Sequence, residues 1–267
     1  MKNTTPPRIL AIAGSDSSGG AGIQADIKTI TMLGGYAMTA ITAATAQNSI
    51  GVQSITPFAG SFVATQIRSC IDDIGVDAIK IGMLHDTGII ESTAEALHDV
   101  VVPIILDPVM IATSGATLID KPAIAAMRDY LFPLATLLTP NLPELELLTD
   151  TVPRTAEAMG ESAMKLAEAY GCHVLAKGGH TQDERIFDVL VGPESKAVSF
   201  DHARIDSRHT HGTGCTLSSA ITTLVAHGQP LEHAVRLGRR FVVAAIEAAP
   251  GFGEGNGPLG HQAVRKL

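Results

Sequence analysis

Short apolar runs recur along this chain, and each is followed by turn residues and then by a segment with helical spacing. The first run, Arg8 to Ala13, precedes a Gly/Ser-rich loop, Gly14 to Gly22, and a helix-spaced segment, Ile23 to Leu33. Chains in which strands and helices alternate build parallel sheets through right-handed crossovers. The pattern therefore predicts an α/β fold with helices on both faces of a mostly parallel sheet.

The same rhythm continues along the rest of the chain. Further buried strands are predicted at Ala37 to Thr45, Asp77 to Ile81, Pro103 to Leu106, Thr136 to Leu138 and His173 to Ala176. Further helices are predicted at Phe62 to Ile74, Thr87 to His98, Thr155 to Ala169, Cys215 to Ala226 and Leu231 to Ala248. The runs Arg185 to Val191 and Lys196 to Phe200 flank Gly192-Pro193, which predicts an antiparallel hairpin at one sheet edge. The glycine-rich tail at 251–260 is expected to be flexible or supported by a partner.

Charge and composition exclude several classes of protein. The 267 residues include 19 Lys and Arg against 27 Asp and Glu, a formal charge of −8, whereas nucleic-acid and anionic-membrane binders carry a basic surplus. Three cysteines without a CxxC pair argue against a disulfide framework or a structural zinc site. No apolar run is long enough for a membrane span or a signal peptide. With no linker or repeat, we expect a single cytoplasmic domain over residues 1–267.

Polar and glycine residues follow the predicted strands at the position where ligands bind in open parallel sheets. Such ligands lie beyond the carboxyl ends of the strands. The residues at these ends are Gly14-Ser15-Asp16, Gln47-Asn48, Gly82-Met83, Asp107 to Met110, Thr139 to Asn141 and Lys177 to His180. The sequence therefore predicts a ligand cleft at this edge of the sheet.

The sharpest local signal is the segment THGTGCT at 210–216, immediately before a helix-spaced run. Gly212 and Gly214 allow backbone N–H groups to converge, and the helix dipole adds positive potential, so the segment predicts an anion site. An ordinary glycine-containing turn is the alternative. The chain has no GxxxxGK[ST] loop, and GSDSSGGAG lacks the G-x-G-x-x-G spacing, which argues against a Walker-type ATPase or an NAD enzyme.

Cys215 lies in the same segment, at the start of a predicted helix. A helix N-terminus lowers the pKa of a thiol, so Cys215 is a candidate nucleophile or base. With His209 and His211 nearby, a thiol hydrolase has to be considered. The alternative is a small residue selected for packing. Cys70 and Cys172 lie in apolar surroundings and are predicted to be core thiols.

Three charged residues end neighbouring strands or follow them closely. Asp107 and Glu144 could hold a magnesium ion through water, because this ion uses few direct protein ligands. Taken singly, each would be a helix N-terminal acid or a solvated turn residue. Lys177 could contact a phosphate, or it could be solvated.

Seven motifs occur in order along nearly the whole chain. They are AGSDSSGGAGIQADIKT at 13–29, TAQNSIGVQ at 45–53, KIGML at 80–84, LDPVMIATSG at 106–115, LLTPNLPE at 137–144, KGGH at 177–180 and HGTGCT at 211–216. With these motifs the chain resembles the hydroxymethylpyrimidine/phosphomethylpyrimidine kinases of thiamine biosynthesis, in the ribokinase-like superfamily. The resemblance implies a three-layer α/β/α sandwich whose mostly parallel central sheet has an antiparallel edge.

The resemblance also implies an activity. Members of this family use ATP and Mg²⁺, are often homodimers, and phosphorylate the hydroxymethyl group of 4-amino-5-hydroxymethyl-2-methylpyrimidine. They then phosphorylate the monophosphate to the diphosphate. An aminopyrimidine and ATP are thus the implied partners, with no role for nucleic acid or membrane.

Site roles follow from the matching motif positions. The implied substrate contacts are Asp26 and Gln47, with Gly14, Met83 and Val109 lining the pocket. The implied anion hole is Gly212, Thr213, Gly214 and Cys215. Asn141 and Glu144 match the motif near the magnesium and the phosphates, and Lys177 is an implied phosphate contact. With Asp107 added from its position at a strand end, we expect Asp107 and Glu144 to organise the metal, Asn141 and Lys177 to contact the phosphates, and Lys177 and Cys215 to be the catalytic residues.

Two features depart from the family pattern. Arg208-His209 stands where we would expect Lys-Asn, and the tail is only loosely similar. Much of the superfamily has Asp, serving as base, at the position of Cys215, so the resemblance leaves the identity of the base open.

The closest rival function is that of a pyridoxal or pyridoxine kinase. Gln47 argues against it, because a carboxamide offers a donor and an acceptor side by side, which match a ring nitrogen beside an exocyclic amine. A site built for that pair rejects rings that lack it. A thiol hydrolase and a noncatalytic precursor-binding protein are the rivals from other classes.

Overall fold

The computed structural model describes residues 5–110, 118–179 and 183–264, without the side chains of Ser195 and Lys196. Within these residues one sheet has nine strands in the order β3-β2-β1-β4-β5-β6-β7-β8-β9. The strands are β1 Arg8–Asp16, β2 Tyr36–Gln47, β3 Val52–Pro57, β4 Ala78–Ile81, β5 Ile104–Leu106, β6 Leu137–Leu138, β7 His173–Lys177, β8 Arg185–Gly192 and β9 Ser195–Ala203. Residues 111–115 of the predicted motif at 106–115, and His180 of KGGH, lie outside the described residues.

Helices cover both faces of this sheet. They are α1 Gly22–Met32, α2 Gly60–Asp73, α3 Thr87–Leu97, α4 Lys121–Ala126, α5 Leu142–Thr149, α6 Ala156–Tyr170, α7 Thr213–Ala226 and α8 Leu231–Glu247. A π-helical turn, Met127–Leu131, and a 3₁₀ turn, Phe132–Leu134, follow α4. None of the described helices is long and apolar enough to cross a membrane.

The predicted fold class is confirmed. Strands β2, β1, β4, β5, β6 and β7 are parallel, and β8 and β9 add antiparallel strands at one edge, as the hairpin pattern predicted. A second antiparallel strand, β3, forms the opposite edge and was not predicted. Its sequence, VQSITP, is half polar because an edge strand packs little of its surface.

The side chains of the short central strands lie in two hydrophobic cores, one on each face of the sheet. Ile104 and Leu106 pack with α2 and α3 on one face, whereas Ile105 packs with α7 and α8 on the other. Successive side chains of a strand point to opposite faces, so a continuous apolar run such as Ile104–Leu106 is what a doubly covered strand requires. This explains why the apolar runs located the central strands correctly.

Two segments differ from the sequence prediction near the cleft. Strand β1 continues to Asp16, because Ser15 and Asp16 pair with Ala44 and Thr45 of β2 beyond an irregularity. The tail at 251–260 is hydrogen-bonded to other parts of this chain: Gly255 N–H donates to Ser49 Oγ at 3.3 Å, and Gly260 N–H donates to a carbonyl of α8 at 2.8 Å. The tail is therefore held within this chain.

Candidate active site

A cavity of about 1100 Å³ opens at the carboxyl ends of the parallel strands. Most of the predicted site residues line it, namely Gly14, Gln47, Met83, Asp107, Val109, Asn141, Glu144, Lys177, Gly212, Thr213, Gly214 and Cys215. The strand-end rule thus located the cavity from the sequence.

The cavity is also lined by residues that sequence reasoning missed. They come from the hairpin and the two residues before it, the segment after it, α8 and the tail: Asp183, Glu184, Ile186, His202, Arg204, Ile205, Asp206, Ser207, Val242, Ile246 and Asn256. No strand-end motif marks them. The predicted edge hairpin and the glycine-rich tail, which contains Asn256, were the sequence signals, and neither carried an indication of function.

The predicted anion segment forms the start of α7. Gly212 is its N-cap with a φ of +86°, and a Cβ atom at Gly212 would lie 1.9 Å from the carbonyl oxygen of Gly20. The first intrahelical bond runs from Thr216 N–H to the Gly212 carbonyl, so the N–H groups of Gly214 and Cys215 precede it. These N–H groups and the helix dipole suit an anion in the cavity.

Lys177 and Asp107 face this helix start as a pair. Lys177 Nζ lies 2.7 Å from Asp107 Oδ1, which also accepts from Thr139 Oγ1 at 3.1 Å. A Cβ atom at Gly214 would lie 3.3 Å from Asp107 Oδ2 and 3.4 Å from Lys177 Nζ. Burial alone would lower the pKa of Lys177, but Asp107 and Glu144 raise it above its ordinary value, so the side chain stays cationic.

Glu144 is both a helix cap and a cavity residue. It forms a capping box with Asn141: the Asn141 N–H donates to Glu144 Oε2 at 2.8 Å, and the Glu144 N–H donates to Asn141 Oδ1 at 2.9 Å. Burial, reinforced by Asp107 and opposed by Lys177, raises the pKa of Glu144 to about 7. Two carboxylates therefore share one nearby cation.

This charge arrangement is compatible with a magnesium ion. Within the described residues no three His, Cys, Asp or Glu side chains converge on one point as a protein-only metal site. Mg²⁺ usually keeps several waters and binds through one or two carboxylates together with substrate phosphates. Asp107 and Glu144 fit that donor set, since a divalent cation would relieve the unfavourable ionisation of Glu144.

The structure corrects the predicted electrostatics of Cys215. The thiol is partly exposed in the cavity, and burial raises its pKa to about 11, whereas the helix start was expected to lower it. Lys80 opposes this shift, but Asp26 and Asp107 reinforce it. A thiolate is therefore scarce at neutral pH.

Asp26, a predicted substrate contact, lies outside the cavity lining. Its carboxylate is fully buried. It accepts from Lys80 Nζ at 2.9 Å and from Ser219 Oγ at 2.7 Å. Burial alone would lower the pKa of Lys80, but the attraction of Asp26 raises it, so the ammonium is retained. The sequence does carry a signal for this pair, because Lys80 falls inside a predicted buried strand and a buried ammonium needs an acidic partner.

Gln47 belongs to a polar network with His211 and Asp16. His211 Nε2 lies 2.9 Å from Asp16 Oδ2 and 3.3 Å from the Gln47 amide nitrogen. Burial acts to raise the pKa of Asp16, but hydrogen bonds from His211, Ser18 and the Ala21 backbone hold it below its ordinary value. Since His211 bonds to Asp16, and His209 packs against Gly257, neither histidine is engaged as a partner of Cys215. Neither histidine therefore supplies the general base that the thiol-hydrolase hypothesis requires.

Comparisons with known proteins agree with the family resemblance of the seven motifs. The family model for phosphomethylpyrimidine kinase matches residues 16–260. The chain is 44% identical over 262 residues to the thiamine biosynthesis bifunctional protein ThiED of Geobacter sulfurreducens, covering 95% of this chain and 52% of that protein. It thus spans about half of that relative. It is 40% identical over 264 residues to a hydroxymethylpyrimidine/phosphomethylpyrimidine kinase of Haemophilus influenzae, covering 97% and 98% of the two chains.

Solved structures with the same fold include kinases for two different rings. An ADP complex of Bacillus subtilis pyridoxal kinase aligns with a TM-score of 0.90 at 36% identity, covering 98% of this chain and 100% of that one. Phosphomethylpyrimidine kinase from Clostridium difficile 630 aligns with a TM-score of 0.80 at 38% identity, covering 90% and 99%. The fold alone therefore does not identify the ring that is phosphorylated.

Proposed function

The chain belongs to the phosphomethylpyrimidine kinase family, and we propose that it transfers the γ-phosphoryl group of ATP to 4-amino-5-hydroxymethyl-2-methylpyrimidine and then to its monophosphate. The observation that carries this proposal is the meeting, in one cavity, of the Gln47 carboxamide with the Lys177–Asp107 pair and the open N–H groups of α7. The first suits an aminopyrimidine and the others suit a transferring phosphoryl group.

The acceptor ring is proposed to bind between small and apolar groups at the Gln47 end. Gly14 and Met83 are in close contact there, since a Cβ atom at Gly14 would lie 2.5 Å from Met83 Cε, and Val109 lines the same end. The ring is proposed to lie against this surface. The carboxamide of Gln47 supplies the donor and acceptor that pair with a ring nitrogen and its neighbouring amine.

The phosphoryl group is proposed to be held at the start of α7. Phosphoryl transfer passes through a loose transition state, so a protein accelerates it mainly by positioning and charge stabilisation. The N–H groups of Gly214 and Cys215 and the ammonium of Lys177 supply that positive potential. Asn141, whose side chain caps α5 beside them, is proposed to contact the phosphates.

Asp107 and Glu144 are proposed to hold the magnesium ion that accompanies ATP. When bound, the ion neutralises charge on the phosphates and helps to align them. The part of the cavity that is lined by the apolar side chains of Ile186, Val242 and Ile246 is proposed to receive the adenine.

Cys215 is proposed to contribute chiefly through its backbone N–H. A thiol with a pKa of about 11 is ionised to about one part in 10⁴ at pH 7, which leaves little thiolate to act as base. In a loose transition state the acceptor hydroxyl can lose its proton late, so a strong base is not needed before transfer begins.

Further parts of the proposal follow the family resemblance. We propose that residues 1–267 act as one kinase domain, that the protein is a homodimer, and that it works in the cytoplasm.

The proposal is tested by measuring ADP release with the aminopyrimidine, its monophosphate and pyridoxal in parallel reactions. We expect ADP release with the first two, and the product of the second reaction to be the diphosphate. ADP release with pyridoxal alone would identify the rival kinase, and no release with any of the three would contradict both.

A further inference from the structure

His211 lies where three segments of the chain meet beside Gln47. Its ring packs on Gly20, where a Cβ atom would lie 2.5 Å from the ring Cδ2. Its backbone N–H donates to the carbonyl of Gly257 in the tail at 3.2 Å. Its Nε2 contacts both Asp16 and the Gln47 amide. The ring is thus held firmly, and Nε2 is the atom it presents to Gln47.

The surroundings of Asp16 determine which ring nitrogen carries the proton. Asp16 Oδ1 accepts from the N–H and hydroxyl of Ser18, at 2.9 and 2.8 Å, and Oδ2 accepts from the N–H groups of Gly20 and Ala21, at 3.0 and 2.8 Å. A carboxylate so surrounded is ionised and can only accept. At 2.9 Å from Oδ2, His211 Nε2 must therefore carry a hydrogen.

Thr45 sets the second constraint on the amide of Gln47. The Thr45 hydroxyl has a single hydrogen, and the Ser15 carbonyl at 2.8 Å lies closer to Oγ1 than Gln47 Oε1 does at 3.2 Å, so Gln47 Oε1 receives at most a share of that hydrogen. The amide has Nε2 on the His211 side, at 3.3 Å, and Oε1 on the Thr45 side, at 3.2 Å. On the His211 side a donor then faces a donor, and on the Thr45 side the amide oxygen competes with the Ser15 carbonyl for one hydrogen. A half-turn of the amide about its last bond relieves both contacts: a Gln47 N–H then donates to Thr45 Oγ1, and the Gln47 oxygen shares the single Nε2–H of His211 with Asp16 Oδ2 in a three-centre hydrogen bond.

We propose that His211, fixed by Asp16, is a positioning residue that holds the Gln47 oxygen toward itself and the Gln47 N–H toward Thr45. This rests on the proposed function, since Gln47 must read the acceptor ring. The remaining lone pair of the oxygen then accepts from the exocyclic amine, and the remaining N–H donates to the adjacent ring nitrogen. The amine edge of the acceptor therefore lies on the His211 side of the pocket, and His211 contributes to ring selection without touching the reacting atoms.

The test is a double-mutant cycle on the Michaelis constant for the aminopyrimidine. His211→Leu removes the donor and should raise this constant about 10-fold or more, with the constant for ATP changed less than about threefold. His211→Gln supplies an N–H near the position of Nε2 and should restore most of the loss. In a Gln47→Met background, His211→Leu should add less than about threefold, because the group it positions is gone. His227→Leu, whose ring contacts the Leu33 carbonyl away from the cavity, is the matched control.

Independent effects of the two single substitutions, or equal losses for His211→Leu and His211→Gln, would overturn the inference while leaving the kinase activity in place. Absence of aminopyrimidine turnover in the unmodified enzyme would instead contradict the proposed function, and the inference with it. Nitrogen-15 NMR of the unmodified protein gives a reading that does not depend on variants folding. We expect a protonated Nε2 in His211, and a bare Nε2 would overturn the proposal.

Discussion

Gln47 is the side chain on which ring recognition depends at the scale of single residues. Gln47→Met keeps the length of the side chain but removes its donor and acceptor, so it should raise the Michaelis constant for the aminopyrimidine about 10-fold or more. The constant for ATP should change little. Steady-state kinetics with each substrate varied in turn measure both, and equal increases in the two constants would contradict a ring-reading role. Gln53→Met, at an exposed position of β3, is the control.

Cys215 shows how burial can reverse an expectation drawn from helix position. Because its pKa is raised to about 11, the reactive thiolate should increase tenfold with each pH unit from pH 7 to about 10. Alkylation by iodoacetamide, followed for the Cys215 peptide by mass spectrometry, measures this directly. A rate that reaches its plateau below pH 8 would show that the helix start dominates after all.

The cavity residues that lie at strand ends were largely predictable from the sequence, but the side chains they contact were not. The strand-end rule found Asp107 and Lys177, although only the structure shows them 2.7 Å apart. Asp26 belongs to the family motif at 13–29, yet folding buries it against Lys80, which is 54 residues away in sequence. Contacts of that kind depend on packing between elements, which periodicity does not report.

At the scale of elements, ionisation of Glu144 at the N-terminus of α5 lowers the free energy of unfolding as the pH rises. Glu144 has a folded pKa of about 7 against an ordinary value of 4.5, so its contribution to stability is fully present below pH 4.5 and is lost as pH rises through 7. The loss amounts to about 3 kcal/mol at most. Relative to Glu144→Gln, the ligand-free unmodified protein should therefore lose about 5 °C in Tm between pH 5 and pH 8. Parallel Tm profiles for the two proteins, or the same change in Glu146→Gln on the same helix, would contradict this assignment.

The start of α7 depends on a glycine for two separate reasons. Gly212 has a φ of +86° and lies against Gly20, whereas Gly228, after the end of α7, has a φ of +82° and open space around its Cβ position. Alanine at Gly228 should cost only the backbone strain of about 1 kcal/mol. Alanine at Gly212 adds a clash between its Cβ and the Gly20 carbonyl at the start of α7, so it should also weaken ATP binding about 10-fold or more. Calorimetric titration of ATP into both variants tests this, and equal affinities would show that the loop tolerates a side chain.

The sequence patterns located the elements whose apolar residues form long or regularly spaced buried sets. Strands such as Ile104–Leu106 are buried on both faces, so apolar runs mark them. Strand β3 is an edge strand with exposed polar residues, and α4 is short and followed by a π-helical turn, so neither has a clear period. The tail at 251–260 has a flexible composition, but its hydrogen bonds to Ser49, to Arg208 and to α8 hold it in place.

At the scale of the whole molecule, the mostly parallel sheet with helices on both faces followed from the alternation of runs, and the family followed from the order of the motifs. The substrate does not follow from the fold, since pyridoxal kinase and phosphomethylpyrimidine kinase both align with it over nearly the whole chain. The discrimination between rings has to come from a few side chains at one end of the cavity. Gln47, its orienting neighbours and the cavity surface that Gly14 and Met83 form are proposed to be those groups.

The most direct test of this account is a competition for limiting ATP between the aminopyrimidine and pyridoxal at equal concentrations in one reaction. The product ratio, read by mass spectrometry, equals the ratio of the two kcat/KM values. A site built for an amine beside a ring nitrogen should favour the aminopyrimidine about 10-fold or more. Equal amounts of the two products, or an excess of pyridoxal phosphate, would contradict the central claim.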